Sequence, residues 1–589
     1  MSDEPKEFRH FQTDHRLFVT SFLLSLPLLC FSPQVFSNEA TPEADALVNQ
    51  FAEHFSSSTL PLAERELELK WFQSAAQPYQ GIKITVVSED IPTHRYESSE
   101  LARMFTQLTG IQVVHEVVGE DDLVKRLQLH MQTGISIYDG YINDTDFIGT
   151  HIRSQKVIPI SQFIDKQWKH VTLPTLDIDD FIGIEFAKDA QGTLYQLPDQ
   201  QFANLYWYRH DWFNRPDLQA QFKEKYGYPL AVPQNWKAYE DIAHFFTHDV
   251  KTIDGTRIWG HFDYGKYEPS LGWRISDSWL SLAGVNDVGL PSGLPVGDWG
   301  IRAEDCIPVG SSVARGGALN SPAAVYALEK YKFWLNEYAP PESKTLTFRT
   351  TADFLAQGQV AQQIFWYSAF IPTLLGENSK VVDENGEPVW RLAPSPRGKY
   401  WQPGMKSGYQ DAGSWTFLHS TPEKQREAAW LYAQFTVSKT VSFDKLLNGF
   451  TPIRHSDIQS EAFSQLKPQL GGLVEFYQSH AKHVWTPSGV NIPDYSVMAA
   501  MWWQHIGDYL YTDISARQTL DQLSGKFDQH LAALSTDNSL RCRPQLNKEK
   551  PEDYWLAQPG SPWAELTDKA QGATLPLSEV YAVWNTSEN

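Results

Sequence analysis

The chain has 589 residues, too many for one compact hydrophobic core, so two or more lobes are expected. Its hydrophobic fraction of 42% and charged fraction of 20% are those of a water-soluble globular protein. A net charge of −22, with no basic stripe interleaved with aromatics, argues against nucleic acid or an anionic membrane as partner.

The N-terminus reads as a targeting segment. Arg9 and Arg16 precede an apolar run from Leu17 to Phe31 of about 15 residues, too short and too interrupted for a membrane-spanning helix. Val35 and Ser37 suit the small-residue positions of a signal-peptidase site, so 1–37 is expected to be removed on export to the periplasm. Leu29 before Cys30 is not small, which argues against lipid anchoring there. Residues 38–80 read as an N-terminal extension, a linker followed by a helix with Leu62, Leu67, Leu69 and Phe72 among Glu64, Glu66 and Glu68.

Gly81 to Asp146 carries the clearest pattern. Ile82, Ile84 and Val86 alternate, and so do Ile111, Val113 and Val117, as strands do. Leu101, Met104, Phe105 and Leu108 form one helical stripe, stopped by Thr109-Gly110; Thr133-Gly134 stops a second helix. Strand, helix, strand, helix, strand implies a parallel sheet, with ligands bound beyond the carboxyl ends of its strands. Beyond those ends stand Glu89-Asp90, Glu120-Asp121-Asp122, and Asn143, Asp144 and Asp146. Asp and Asn there suit hydroxyl groups; the alternative for Asp144 is a helix N-cap.

Further on, Thr175 to Gly183 reads as a short helix behind an acidic cap. Phe202 to Phe213 is an aromatic strand long enough to cross between lobes. A helix starts at Asn235, and 253–320, rich in Gly, Trp, Pro and Asp, reads as a loop-dominated insertion. Ser321-Pro322 caps a helix, Phe354 to Trp366 is a helix end and a strand, and strands follow at Trp390 and Asp411. Ser420 to Lys424 starts a helix with Ala428, Leu431, Tyr432 and Phe435 on one face; helices continue to about 535, and a Pro-rich tail follows from Arg541. With the signal removed, Cys306 and Cys542 remain, a disulfide in an oxidising compartment or else two buried thiols.

No nucleophile elbow, zinc-helix, phosphate-loop or dinucleotide motif is present, and the 18 histidines lack metal-ligand spacing. No metal or cofactor is expected. The 21 tryptophans are core filler, with some free to stack on sugar-like faces. A carboxylate pair at glycosidase spacing cannot be nominated from sequence.

The series TGIQV, GTLYQLP, LYWYRHDWF, NWKAYEDIA, SPAAVYALEKY, AQGQVAQQIFW, DAGSW, STPEKQREAAWLYAQF and TPIR resembles extracellular solute-binding proteins of bacterial ATP-driven sugar importers, over about Gly81 to Leu534. YDGYINDTDFIGTH, YQLPDQQFANLYWYRHDWF, WGHFDYGKYEPSLGWRISDSWLSLAG, VARGGALNSPAAVYAL, GYQDAGSW, NIPDYSVMAAMWWQHIGDYL and CRPQLN are similar to the glycerol-binding branch of that family, in rhizobial-type importers. The resemblance implies a two-lobed α/β periplasmic-binding-protein fold of type II, hinge-linked, with the ligand cleft between lobes. It implies lobe 1 over 81–204 and 389–450, lobe 2 over 205–388 and 451–540, and a tail over 541–589. Crossovers are expected near Ala203–Tyr208, Glu387–Arg391 and Phe450–Arg454.

Ligand contacts implied by the resemblance are Asn143, Asp144, Asp146, Asn204, Trp207, Tyr208, Phe365, Trp366, Tyr367, Asp411, Gly413, Ser414, Phe450 and Tyr495. Trp207 and Trp366 have lobe core as their alternative. The implied function is binding without chemistry: a monomer takes glycerol or a similar small polyol and delivers it to the transmembrane permease subunits. A sugar or oligosaccharide is the alternative ligand, and a secreted carbohydrate-active enzyme the alternative class.

Overall fold

In the computed structural model, residues 42–586 are described apart from 275–276, 292, 407–409, 484–487 and 562. At 42–44, 273–274, 277–278, 365–366 and 410–411 the backbone alone is described. The export signal, with Cys30, Val35 and Ser37, lies outside the described residues. From Ala46 onward the described residues form one compact unit, which carries both sheets. Among the described residues no helix is long and apolar enough to cross a membrane.

The first lobe opens with α1 (Pro42–His54), α2 (Leu62–Ala75), β1 (Lys83–Glu89), α3 (Ala102–Thr109), β2 (Gln112–Val118), α4 (Glu120–Thr133), β3 (Gly140–Asp144) and α5 (Ile148–Ser154). The chain continues through β4 (Leu197–Pro198), β5 (Phe202–Arg209), β6 (Gln362–Tyr367), β7 (Trp390–Ala393), β8 (Gln410–Asp411) and β9 (Gly413–Thr416). Then come α6 (Glu423–Val437), α7 (Ser442–Gly449), α8 (Tyr495–Tyr511) and α9 (Ala516–Leu534).

The first sheet has the order β2-β1-β3-β9-β4. β1 runs parallel to β2 and β3, with Lys83 opposite Gln112 and Val86 opposite Gly140, while β9 runs antiparallel to β3 and β4. The strand–helix periodicity between Gly81 and Asp146 thus gives the parallel half of a mixed sheet. Gly110 and Gly134 end α3 and α4 at φ 76° and 69°, left-handed values that glycine adopts without strain.

The extension holds the expected helix, and a second one precedes it from Pro42, in place of the expected linker. α1 and α2 bury Val48, Phe51, Leu69 and Phe72 in the first lobe's core, and Phe55, just after α1, joins them. Phe72 packs edge-on against Phe435 at 5.5 Å and Phe105 at 6.4 Å. The buried Glu68 carboxylate accepts from the Thr440 amide and hydroxyl at 3.0 and 2.7 Å. Glutamates around the apolar positions hide this inward stripe in the sequence.

In the second sheet β5 is central, flanked antiparallel by β6 and β7, and β8 pairs with its first residues. Every β5 residue is buried, as expected of a strand covered on both faces. Ala203, Leu205 and Trp207 face one core, and Tyr206 and Tyr208 face another.

The chain passes between sheets at 199–201, before β5, and at Ala412, between β8 and β9. The two passages are joined: the Asp199 and Gln200 amides donate to the Gly413 carbonyl at 2.9 and 3.1 Å. The sequence places the second crossover near Glu387–Arg391, but Trp390–Ala393 is a second-sheet strand, and the return comes about twenty residues later. A short apolar strand carries no mark of which sheet it joins. Between Val437 and Ile458 the chain alternates between cores: Val437, Val441 and Ile453 join the first, Phe443, Leu446 and Ile458 the second.

Thr175–Gly183 holds a 3₁₀ turn, Ile178–Asp180, in place of the expected α-helix. Residues 253–320 are less loop-like than read. They hold helices Ser270–Arg274 and Asp277–Ala283 and a hairpin of Arg302–Glu304 with Ile307–Gly310. Elements this short leave no periodicity. The tail is also anchored: Thr574–Leu575 pairs with Val232–Pro233, and Trp584 is buried. Cys306 and Cys542 form a disulfide, with Cα atoms 5.6 Å apart.

Candidate functional site

The carboxyl ends of β1 and β2 open onto a cavity of about 430 Å³ lined by both lobes. The first lobe supplies Glu89, Asp90, Gly119 and Glu120–Asp122; the second supplies Glu268–Ser270 and Thr347–Arg349. Glu89 ends β1, Gly119 follows β2, and the three acids form the first turn of α4, where the helix dipole favours negative charge. Thr347 caps the helix Phe348–Ala356, which places Arg349 at its first turn. A Cβ on Gly119 would lie 2.3 Å from Arg349 Nη2, so glycine lets the guanidinium reach across the cleft.

A second cavity, about 550 Å³, shares Glu120, Asp121 and Pro269 with the first and continues between α4 and α8. Its walls are more apolar, with Val124, Leu129, Trp299, Tyr495 and Trp503. Tyr495 stacks on Trp299 at 5.5 Å and packs against Phe147 at 4.5 Å.

The loop after β3 stands behind this wall and joins the lobes. The Ser488 hydroxyl donates to Asp146, and the Tyr495 amide donates to Thr150 Oγ1 at 3.0 Å. Arg153 Nη1 donates to the Val490 carbonyl at 2.8 Å, and its Nη2 to the Cys306 carbonyl at 2.7 Å. Asn143 Nδ2 donates to the Asp144 carbonyl and to His151 Nε2, each at 3.1 Å, while the buried Asn143 Oδ1 has no partner. Burial drives the His151 pKa down to about 3, consistent with a neutral ring accepting that bond.

The electrostatics are those of crowded carboxyls. Burial, then repulsion from Asp144, pushes Glu89 well above the usual carboxylate range, and Arg349 offsets part of this. Asp144 is raised to about 7 by burial and the Asp146 charge, partly offset by a hydrogen bond with Glu120. Asp90 is lowered by its 2.6 Å pairing with Arg95.

Of the expected contact residues with described side chains, Tyr495 alone lines either cavity. Asn143, Asp144 and Asp146 back the wall formed by Glu89 and Glu120. Gly413 and Ser414 pair with Asp144 and Asn143 in the sheet below, and the Ser414 hydroxyl donates to the Ala412 carbonyl. Tyr367 packs edge-on against Phe348, a lining residue, at 5.3 Å. Asn204 is buried opposite Tyr367, with neither side-chain polar atom partnered.

Trp207 is fully buried in a lobe core, on the opposite face of β5 from Tyr206 and Tyr208. Tyr208 stacks on Tyr206 at 5.4 Å and packs against Phe213 at 4.7 Å, so it too is core. Phe450 ends α7 at φ 55° and packs against the second lobe's core. The side chains of Phe365, Trp366 and Asp411 lie outside the described residues; their backbones sit in β6 and β8.

Glu89 and Glu120 stand out in the sequence only as polar residues past strand ends. Arg349 and Trp299 carry no local signal, because their place depends on the opposing lobe.

Among the described residues, one acidic–histidine triad has ligand atoms within 4.8 Å of one another: His94, Glu97 and Asp199. A lysine occupies it. Lys445 Nζ donates to Glu97 Oε1 at 2.8 Å, Asp199 Oδ1 at 3.0 Å and the Asp199 carbonyl at 2.7 Å. His94 Nε2 lies 3.5 Å from Asp199 Oδ2, and its Nδ1 bonds the Glu89 carbonyl at 2.9 Å. This buried knot ties the 199–201 passage to the end of β1. The cleft therefore holds acceptors and aromatic faces suited to hydroxyl groups, in walls drawn from two lobes.

Solved structures share the architecture. A ribitol-complexed ABC transporter solute-binding protein from Agrobacterium radiobacter aligns with TM-score 0.58 and 18% identity, over 77% of this chain and 99% of its own. A D-mannitol-bound one from Agrobacterium vitis gives 0.55 and 16%, over 77% and 99%. A maltose-bound protein of T. maritima gives 0.56 and 14%, over 76% and 100%. No curated protein matches the chain. The fold is that of the type II periplasmic binding proteins. Residues 95–441 match the model of one family, and the chain belongs to it: the bacterial extracellular solute-binding proteins.

Proposed function

We propose that the protein is the substrate-binding component of an ATP-driven importer, taking glycerol or a similar small polyol in the periplasm and delivering it to membrane permease subunits. The observation that carries this reading is the polar cavity lined by both lobes. A ligand held by one lobe gains the second set of contacts only on closure, so it favours the closed state, which then presents both lobe surfaces to a permease. A few kcal/mol of differential affinity makes the closed form predominant. The ribitol and mannitol complexes of like fold support a polyol. The protein acts as a monomer, and no bond is made or broken.

A sugar or oligosaccharide is the second reading, favoured by the aromatic cavity of about 550 Å³ that continues from the first. Calorimetric titration of the mature protein with glycerol, ribitol, mannitol and maltose separates the two. Saturable heat with a polyol and no turnover is expected. Heat with maltose alone would shift the assignment to a sugar, and release of reducing sugar from a glycan panel would overturn both.

A further inference from the structure

We propose that the cavity at the ends of β1 and β2 binds a protonated amine, so that the ligand is an amino-substituted polyol or amino sugar whose ammonium sits against Glu89. The inference rests on the polyol reading above and narrows it.

Glu89 is 8% exposed, lines the cavity, and its buried Oε1 has no hydrogen-bond partner. A buried carboxylate oxygen without a donor is costly and calls for one from the ligand. The outer acids are different. Asp90 pairs with Arg95, and Asp121 with Lys125 at 3.3 Å, so each already has a cation. Behind Glu89, Asp144 repels it, and Asp144 and Glu120 share a hydrogen bond between carboxyls. Among the described lining side chains, Arg349 is the one cation facing this cavity; it is exposed and stands at the Gly119 rim.

The interior carboxyls therefore lack a cation: a neutral polyol can hydrogen-bond them but cannot hold them ionised. An ammonium supplies three donors and one positive charge at once, and charge-assisted bonds are roughly twice as strong as neutral ones. The adjoining Trp299–Tyr495 stack gives a cation a second favourable surface. In the unliganded cleft burial first, and then this crowding, raises the Glu89 and Asp144 carboxyl pKa values.

The test compares matched pairs by calorimetry on the full mature protein at neutral pH: 2-amino-1,3-propanediol against glycerol, and glucosamine against glucose. The amine of a pair is expected to bind at least about tenfold more tightly, a difference of about 1.4 kcal/mol. Glu89→Gln keeps the shape and removes the charge, so it should reduce that preference to within about threefold; Asp144→Asn serves as a second variant if the first misfolds. Equal or weaker binding of the amines, or an unchanged preference in a folded variant, overturns the inference while leaving the polyol reading intact. If no member of either pair binds and maltose does, the polyol reading fails and the inference with it.

Discussion

Asp457 shows how burial can outweigh a neighbouring cation in setting a titration. It is fully buried, and burial lifts its pKa to about 7 although the Arg454 guanidinium pulls it down. A carboxyl raised in the folded state binds more protons there than in the unfolded chain between roughly pH 4 and 7. Its contribution to stability is therefore present at low pH and lost as pH rises through about 7. Asp457→Asn removes that loss, so the variant should gain on the parent from pH 5 to pH 8, by at most about 1.4 kcal/mol per pH unit. Denaturant melts at the two pH values check this; an equal difference at both would contradict it. In the Lys445 knot the two carboxyls part: burial and the Asp199 charge push Glu97 well up, whereas Asp199, although burial opposes it, is held below the usual carboxylate range by Lys445 and His94. Residue types were legible at both places. That Asp457 is buried, or that Lys445 fills a potential metal triad, is not, because the groups concerned come from distant segments.

At the scale of elements, periodicity was a reliable guide where an element was long and one-sided. The β1-α3-β2-α4-β3 run and its two glycine stops stand where the alternation and the helical stripe place them. The glutamate-rich α2 was legible as a helix, but not its docking, since its inward Leu69 and Phe72 meet rings brought by α3 and α6. Phe72→Ala should cost about 3–5 kcal/mol, as a buried ring lost from a packed core does. Chemical denaturation reads this directly, and a loss under 1 kcal/mol would show that the extension is peripheral. Strand β5 is the counterexample: its unbroken apolar and aromatic run from Leu205 to Tyr208 hides which side chains face which core, and alternation in the folded sheet makes Trp207 and Tyr208 core residues.

For the whole molecule, the tail and the disulfide depend on closing a long loop. Cys306 and Cys542 are 236 residues apart in sequence. Cross-linking so distant a pair restricts the unfolded chain, and removing such a bond typically costs about 2–5 kcal/mol. Reduction, or Cys306→Ser with Cys542→Ser, should lower the midpoint of thermal unfolding accordingly; an unchanged midpoint would mean the tail is held by its backbone pairing alone. The sequence by itself determined the acidic, aromatic-rich composition, the parallel-sheet unit, the cysteine pair and the series of motifs by which the chain resembles its family. These are local or compositional properties, written in neighbouring residues. Only the tertiary structure decided that the return to the first sheet falls at Ala412, that the β3 loop backs the cavity wall, and that Glu89, Glu120, Arg349 and Trp299 face one cleft. Each of those facts is a distance between segments far apart in the chain, and it is fixed by how two lobes pack rather than by any pattern within one.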